Sequence, residues 1–343
     1  MKFQVEPAPH IISARPVPQV MREVLYALIP AVVVYTWYFG AGLIVNVAIA
    51  CAVALASEAA ILRLRRRDVR LYLSDYSAVV TAALLAFALP SLTPWYVTVT
   101  GTLFAIVFAK HLYGGLGFNP FNPAMAGYVL LLIAFPTEMA DLWIAPRGAG
   151  DGLSVGQTLA AIFASTPPAA GWDAITSATP LDQVQSDLSR AMTMSEINAN
   201  PTMHGSIVGA WLWINLAVAA GGIYMLARGI IRWHIPLAVI AGLALMATLF
   251  YLADADRNPS PLFHLTTGAT MLGAFFIATD PVSAATSLRG RLIYGFGIGV
   301  IAYIIRTWAA YPDGIAFAVL IMNVAVPAID YFTIPKPYGA RDD

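Results

Sequence analysis

The chain has 343 residues, 59% of them hydrophobic and 11% charged, where a soluble domain carries about a quarter charged residues; with a mean hydropathy of +0.71, the composition argues against a soluble fold. Lys plus Arg and Asp plus Glu balance at 19 each, which gives no reason to expect a nucleic-acid partner. The one cysteine, Cys51, rules out an intrachain disulfide and a cysteine-ligated cluster or zinc site.

Residues Met1 to Val20 carry four prolines and mixed polar residues where a secretory signal needs a continuous apolar run, so residues 1–22 read as a cytoplasmic tail. Apolar runs follow near 24–40, 41–62, 77–92, 95–110 and 123–137, and again near 207–227, 235–253, 264–279, 292–311 and 315–333. They predict an all-α integral membrane protein of about ten transmembrane helices. The third, fifth and eighth runs are shorter than the ~20 residues a straight span needs and are expected to be tilted or broken.

Positive charge sets the orientation, because short cytoplasmic loops retain Lys and Arg. With the N-terminus inside, 15 of the 19 fall on the inner side, among them the cluster Arg63, Arg65, Arg66, Arg67 and Arg70; Arg147, Arg190, Arg257 and Arg306 fall outside. Both termini are then cytoplasmic, residues 334–343 form a second tail, and the polar segment 138–206 is a long loop on the outer side. A loop that long is functional or disordered.

The loop divides the spans into a first half, 23–137, and a second, 207–333. Five spans per half would invert one relative to the other. The third and eighth runs both close on a proline, at Leu89-Pro90 and Asp280-Pro281, which is either a repeat signal or simply proline ending two helices.

Within the loop, Asp173-Ala174-Ile175-Thr176-Ser177-Ala178-Thr179-Pro180-Leu181 precedes a polar helix expected over Leu181 to Ala191. Pro180 biases Thr179 toward extended backbone, which predicts a projecting hydroxyl. On chemistry alone this is an ordinary Ser/Thr loop. Asn119-Pro120-Phe121-Asn122-Pro123 gives extended backbone, with a helix starting near Pro123 and Asn122 as its N-cap. Its amides and freed N–H groups suit a polar ring edge or an anion, or merely a capped re-entrant turn.

The loop string resembles the flavin-attachment motif shared by the D-type membrane components of Rnf complexes and the B-type components of sodium-pumping NADH:quinone oxidoreductases, an Asp followed six positions later by the acceptor Thr. Here these are Asp173 and Thr179, with Ser177 and Ala178 before the acceptor; Thr176-Ser177-Ala178 stands where the family often has Ser-Gly-Ala. Ser74-Asp75-Tyr76-Ser77-Ala78, Gly117 to Met125 and Ala278 to Ser283 extend the resemblance, and the short N-terminus favours the Rnf branch.

The resemblance implies FMN joined covalently through its phosphate to Thr179 by a separate flavin transferase, an electron relay within an ion-translocating NADH:ferredoxin oxidoreductase, the A, B, C, E and G components of an Rnf complex as partners, and a second, noncovalent flavin such as riboflavin near Asn119 and Asn122. The flavin would carry the redox chemistry, and Thr179 would be an anchor, not a catalytic group. The complex would couple electron flow to Na+ or H+ movement.

Ionisable residues near spans are Asp75, Lys110, Asp280, Arg306, Asp313 and Asp330. Charge at membrane depth needs pairing or water, and most of these sit at predicted ends, where a solvated interfacial place is expected. Asp75 and Asp280, at the inner ends of the two short spans, are candidates for an ion pathway. The histidines His10, His111, His204, His234 and His264 lack metal-ligand spacing and read as interfacial, and Trp37, Trp95, Trp211, Trp213, Trp233 and Trp308 as belt residues in contact with lipid. The competing reading is a solute channel or transporter with an inverted-repeat fold; a third is a structural scaffold.

Overall fold

The computed structural model describes residues 15–149, 152–166, 171–172, 174–199, 206–309, 311 and 313–333. Asp173, His10, His204, Lys2, Lys336 and Arg341 lie outside the described residues. Among the described residues the regular structure is helical, apart from one antiparallel bridge between Ile144 and Thr176.

The first half opens with two long helices, α1 (Val17–Phe39) and α2 (Gly42–Leu64). A short α3 (Val69–Leu73) breaks before α4 (Ser77–Ala88); α5 (Trp95–Leu103) runs on as a π-helical stretch (Phe104–His111), and α6 (Pro123–Ala134) closes the half. Four short helices follow: α7 (Pro136–Asp141), α8 (Val155–Ala164), α9 (Pro180–Ser189) and α10 (Met194–Ala199).

The second half repeats the order. Long helices α11 (Ser206–Ala227) and α12 (His234–Ala253) precede a broken one, α13 (Pro261–Thr266) then α14 (Thr270–Leu272), which runs on as a π-helical stretch (Gly273–Ile277). It ends with α15 (Leu288–Trp308) and α16 (Ile315–Thr333). Among the described residues six helices, α1, α2, α11, α12, α15 and α16, are long and apolar enough to cross a bilayer. The third, fifth and eighth predicted spans are the short or broken ones: α4 and α6 have 12 residues each, and the eighth splits at Thr267–Ala269.

A broken helix in an apolar layer frees backbone groups that no water reaches, so protein must satisfy them. Buried asparagines do so. Asn46 on α2 donates to the carbonyls of Pro90 and Ser91 beyond α4, at 3.3 Å each. Asn215 on α11 donates to Thr266 and Gly268 across the second break, at 3.0 and 3.1 Å. Asn122 donates to the Ile277 carbonyl at 3.3 Å, and Asn323 on α16 to that of Ser283 at 2.8 Å.

The sequence packs α2 through one stripe at four-residue spacing, Asn46, Ala50, Ala54, Glu58 and Leu62, all buried, while its remaining faces are also apolar, as lipid requires. Helices α1 and α11, the leading helices of the two halves, lie side by side, and Gly221 makes this possible: a Cβ there would sit 2.0 Å from the Ala27 carbonyl oxygen. Small residues permit such backbone approach between membrane helices.

Candidate functional site

The motif threonine departs from the sequence-based expectation. Thr179 has the extended backbone expected ahead of Pro180, φ −67° and ψ 157°, but it does not project from the loop. It is the half-buried N-cap of α9, because an extended residue before proline leads directly into a helix whose first N–H groups lack partners. Its Oγ1 accepts from the Asp182 N–H at 3.3 Å and donates to Asp182 Oδ2 at 2.6 Å. Burial pushes the Asp182 carboxyl above its ordinary range, with Asp313 and Asp141 adding to the rise and the Thr179 hydrogen bonds opposing it.

The preceding residues hold this turn in place. Ser177 N–H donates to the Trp143 carbonyl at 2.9 Å and Ala145 N–H to that of Ile175 at 2.8 Å, flanking the Ile144–Thr176 bridge. Ala178 is exposed.

Thr179 and Asp182 line a cavity of about 260 Å³ that reaches into the helical bundle between the ends of α4, α6, α11 and α16. Its walls are aromatic and aliphatic, with Tyr35, Phe87, Met125, Tyr128, Trp143 and Trp211, and its polar points are Thr179, Asp182, Asn215 and Asp313. An apolar slot with a few convergent polar groups is the usual form of a cofactor site. Trp211, expected in the lipid belt, is 9% exposed and forms part of this wall, in edge contact with Trp143 at 5.4 Å; Trp37, Trp213, Trp233 and Trp308 are exposed as expected.

A second cavity, about 330 Å³, lies toward the ends of α4 and α6 that face the opposite loops, and it shares no lining residue with the first. Ser77, Lys110, Asn119, Asn122, Thr279 and Asp280 give it polar character; Val20, Val24, Leu84 and Phe276 are among its apolar walls. Asn122 is the expected N-cap of α6, accepting from Met125 N–H at 3.1 Å with Pro123 in the first turn. Asn119 is 3% exposed; its amide donates to the Phe121 carbonyl at 3.0 Å, while its Oδ1 has no hydrogen-bond partner among the described residues. An acceptor buried in this way costs about 1–3 kcal/mol unless something donates to it.

The two short-span aspartates have different surroundings. Asp280 lines the second cavity and accepts from Val282 N–H and Ser283 Oγ at 3.2 and 3.0 Å. Asp75 accepts from Ser77 N–H and Oγ at 2.7 and 2.6 Å, ahead of α4 and outside the cavity lining.

Several groups expected at the interface are buried instead. Lys110 is 1% exposed, its Nζ 2.7 Å from Glu58 Oε1 and 2.7 Å from Ser77 Oγ; His111 Nε2 lies 2.9 Å from the same Glu58 oxygen. Arg306 donates to the His264 carbonyl at 2.9 Å and to Thr270 Oγ1 and Asp313 Oδ1 at 3.0 Å each. His264 is buried against Tyr303. The physical reason is common to all: the breaks at Ser74–Tyr76 and Thr267–Ala269 create polar pockets inside the bundle, and the cations enter them rather than snorkelling to water. Glu58 was missed, although a lone carboxylate within the second apolar run is itself a signal; Asp182 was also missed, although Thr-x-x-Asp is a capping pattern.

The chain is 49% identical to the D component of the ion-translocating oxidoreductase complex of Vibrio cholerae serotype O1, over 99% of this chain and 100% of that protein. It is 50% identical to the protein of that name from Ectopseudomonas mendocina, over 97% and 95% of the two chains, and 47% to that of Shewanella denitrificans, over 99% of each. A family model matches residues 4–339, and the chain belongs to the NQR2, RnfD, RnfE family.

Proposed function

We propose that this chain is the D-type membrane component of an Rnf ion-translocating oxidoreductase complex, and that it carries FMN esterified to Thr179. When bound, the flavin supplies one- and two-electron redox chemistry. The observation that carries the reading is the position of the Thr179 hydroxyl, on the wall of an aromatic cavity that runs from the 138–206 loop into the bundle.

The residues present fit such a group. Thr179 is the N-cap of a ten-residue helix, so an ester phosphate on its oxygen would lie at the helix N-terminus, beside N–H groups and the positive end of the dipole. Tyr35, Phe87 and Trp211 offer flat apolar surface, and the Tyr128 hydroxyl offers a polar contact. Trp143 and Trp211, in edge contact at 5.4 Å, add further apolar wall.

The second cavity suits a noncovalent flavin such as riboflavin. The Asn119 oxygen, which has no partner among the described residues, would accept from a ring N–H and the Lys110 ammonium would meet a ring carbonyl. The two cavities then mark an electron route from the loop side toward the opposite face, with Asp280 in the lower one a candidate for the coupled Na+ or H+ path. On this reading the loop is periplasmic, both termini are cytoplasmic, the membrane is the bacterial inner membrane, the A, B, C, E and G components of the complex are partners, and a flavin transferase matures the chain.

The test is a denaturing gel of the chain expressed with a flavin transferase. Ultraviolet-excited flavin fluorescence on the wild-type band and none on Thr179→Ala is expected; a dark wild-type band would instead favour a channel or scaffold.

A further inference from the structure

The Thr179 hydroxyl is a poor nucleophile at neutral pH and needs a base to take its proton. The chain holds one in contact: the Thr179 hydroxyl donates to Asp182 Oδ2 at 2.6 Å, and the Asp182 N–H donates to the same hydroxyl oxygen at 3.3 Å. We propose that Asp182 is the catalytic base for attachment of FMN to its own chain, a step that rests on the reading of Thr179 as the flavin anchor.

The donor must carry FMN as an activated phosphate, of the class of a flavin–nucleotide pyrophosphate presented by the transferase. Thr179 Oγ1 attacks the phosphorus of the FMN half and the Oγ1–P bond forms. The bridging P–O bond breaks, the nucleoside monophosphate leaves with the electron pair, and the hydroxyl proton moves to Asp182 Oδ2. Nothing is oxidised or reduced.

Position in the helix makes the arrangement obligatory. As the third residue of α9, Asp182 has its carboxyl over the N-cap, and Pro180 and the Ile144–Thr176 bridge hold the N-cap in one conformation. The groups around Asp182 are Asp141 from α7, Asp313 ahead of α16, itself paired with Arg306 at 3.0 Å, and the Tyr128 hydroxyl from α6. Burial, and after it these two carboxylates, raise the proton affinity of Asp182 against the opposing Thr179 hydrogen bonds, which makes it a stronger base than a free aspartate. The same hydroxyl-to-carboxylate contact caps α10 at Thr193 and Glu196, 3.0 Å apart, but Glu196 is exposed, whereas Asp182 is half-buried and lines the cavity.

The experiment measures the rate of flavin attachment to full-length protein in detergent, with flavin transferase, flavin adenine dinucleotide and a divalent cation, by in-gel fluorescence and intact mass. Asp182→Asn keeps an oxygen that can accept from Thr179 and loses only the basicity. It is expected to slow attachment by about 10²–10⁴-fold, the usual contribution of a general base, and to abolish the fall in rate toward acid pH; Asp182→Glu recovers part of the rate. If Asp182→Asn is labelled at the wild-type rate with the wild-type pH profile, the base role is overturned while the anchor stands. If Asp182→Glu is as slow as Asp182→Asn in protein of wild-type thermal stability, the base role also fails. Wild-type protein that takes no flavin overturns both the base and the anchor.

Discussion

Lys110 and Arg306 hold equivalent places in the two halves of the bundle. Each lies near the end of its half's fourth apolar segment, and each donates to the hydroxyl that opens that half's short helix, Lys110 to Ser77 at 2.7 Å and Arg306 to Thr270 at 3.0 Å. The anions differ: Glu58 comes from α2, whereas Asp313 comes from the turn before α16. The correspondence extends to the cavities, since Ser77 and Lys110 line one and Asp313, with Gly268 and Ala269 of the second break, lines the other. The two cavities, each lined from both halves, thus lie beside two copies of one construction, a broken helix locked by a cation.

The Lys110–Glu58 pair gives the first prediction. Both groups are almost fully buried, at 1% and 2%, so removing one partner leaves an uncompensated charge, at a cost of about 3–5 kcal/mol. Lys110→Met and Glu58→Gln are each expected to lower the unfolding temperature in detergent sharply, and the double variant to recover most of the loss. Additive losses in the double variant would show that the ion pair is not what stabilises this region.

Arg306 is expected to tolerate lysine poorly. Its guanidinium reaches the His264 carbonyl, Thr270 and Asp313 together, and an ammonium on a flexible stem does not reproduce that fork. Arg306→Lys should therefore loosen the 266–270 break, read as faster hydrogen exchange at Thr267 to Met271 than in wild type.

The asparagines beside the second cavity separate binding from folding. Asn122→Ala removes a helix cap, costing about 1 kcal/mol, together with the bond to the Ile277 carbonyl. Asn119→Ala removes one bond to Phe121 and an acceptor that has no protein partner among the described residues. Asn119→Ala should keep wild-type thermal stability yet lose most acid-extractable noncovalent flavin, measured by chromatography; full retention would assign the unpartnered oxygen no role in binding.

Asp182 predicts a pH dependence. Its folded-state affinity for protons is raised, so between the ordinary aspartate range and the raised value the native state binds more protons than the unfolded one. Stability therefore falls as pH rises through that window. Asp182→Asn should make unmodified protein more heat-stable at neutral pH and flatten its stability profile from the aspartate range upward.

The sequence carried the long helices plainly, because runs such as 207–227 and 235–253 have only one structural outcome in a bilayer. It also carried the capped start of α6, since Asn122 before Pro123 is a local signal. What it did not carry are contacts across many residues. Lys110 looked solvated because it stands beside a polar loop, and only the 52-residue closure onto Glu58 buries it. Trp211 looked like a belt residue because its neighbour Trp213 is one; helical geometry turns the two to different faces. Thr179 looked free because the helix it caps is polar and lies over the cavity formed by both halves.

The most direct test of the flavin anchor is mass spectrometry of the native peptide spanning Thr176 to Arg190, from cells that contain a flavin transferase. The fragment is expected to be heavier by one FMN less one water, with the added mass on Thr179. Unmodified threonine at that position in fully processed protein would contradict the assignment.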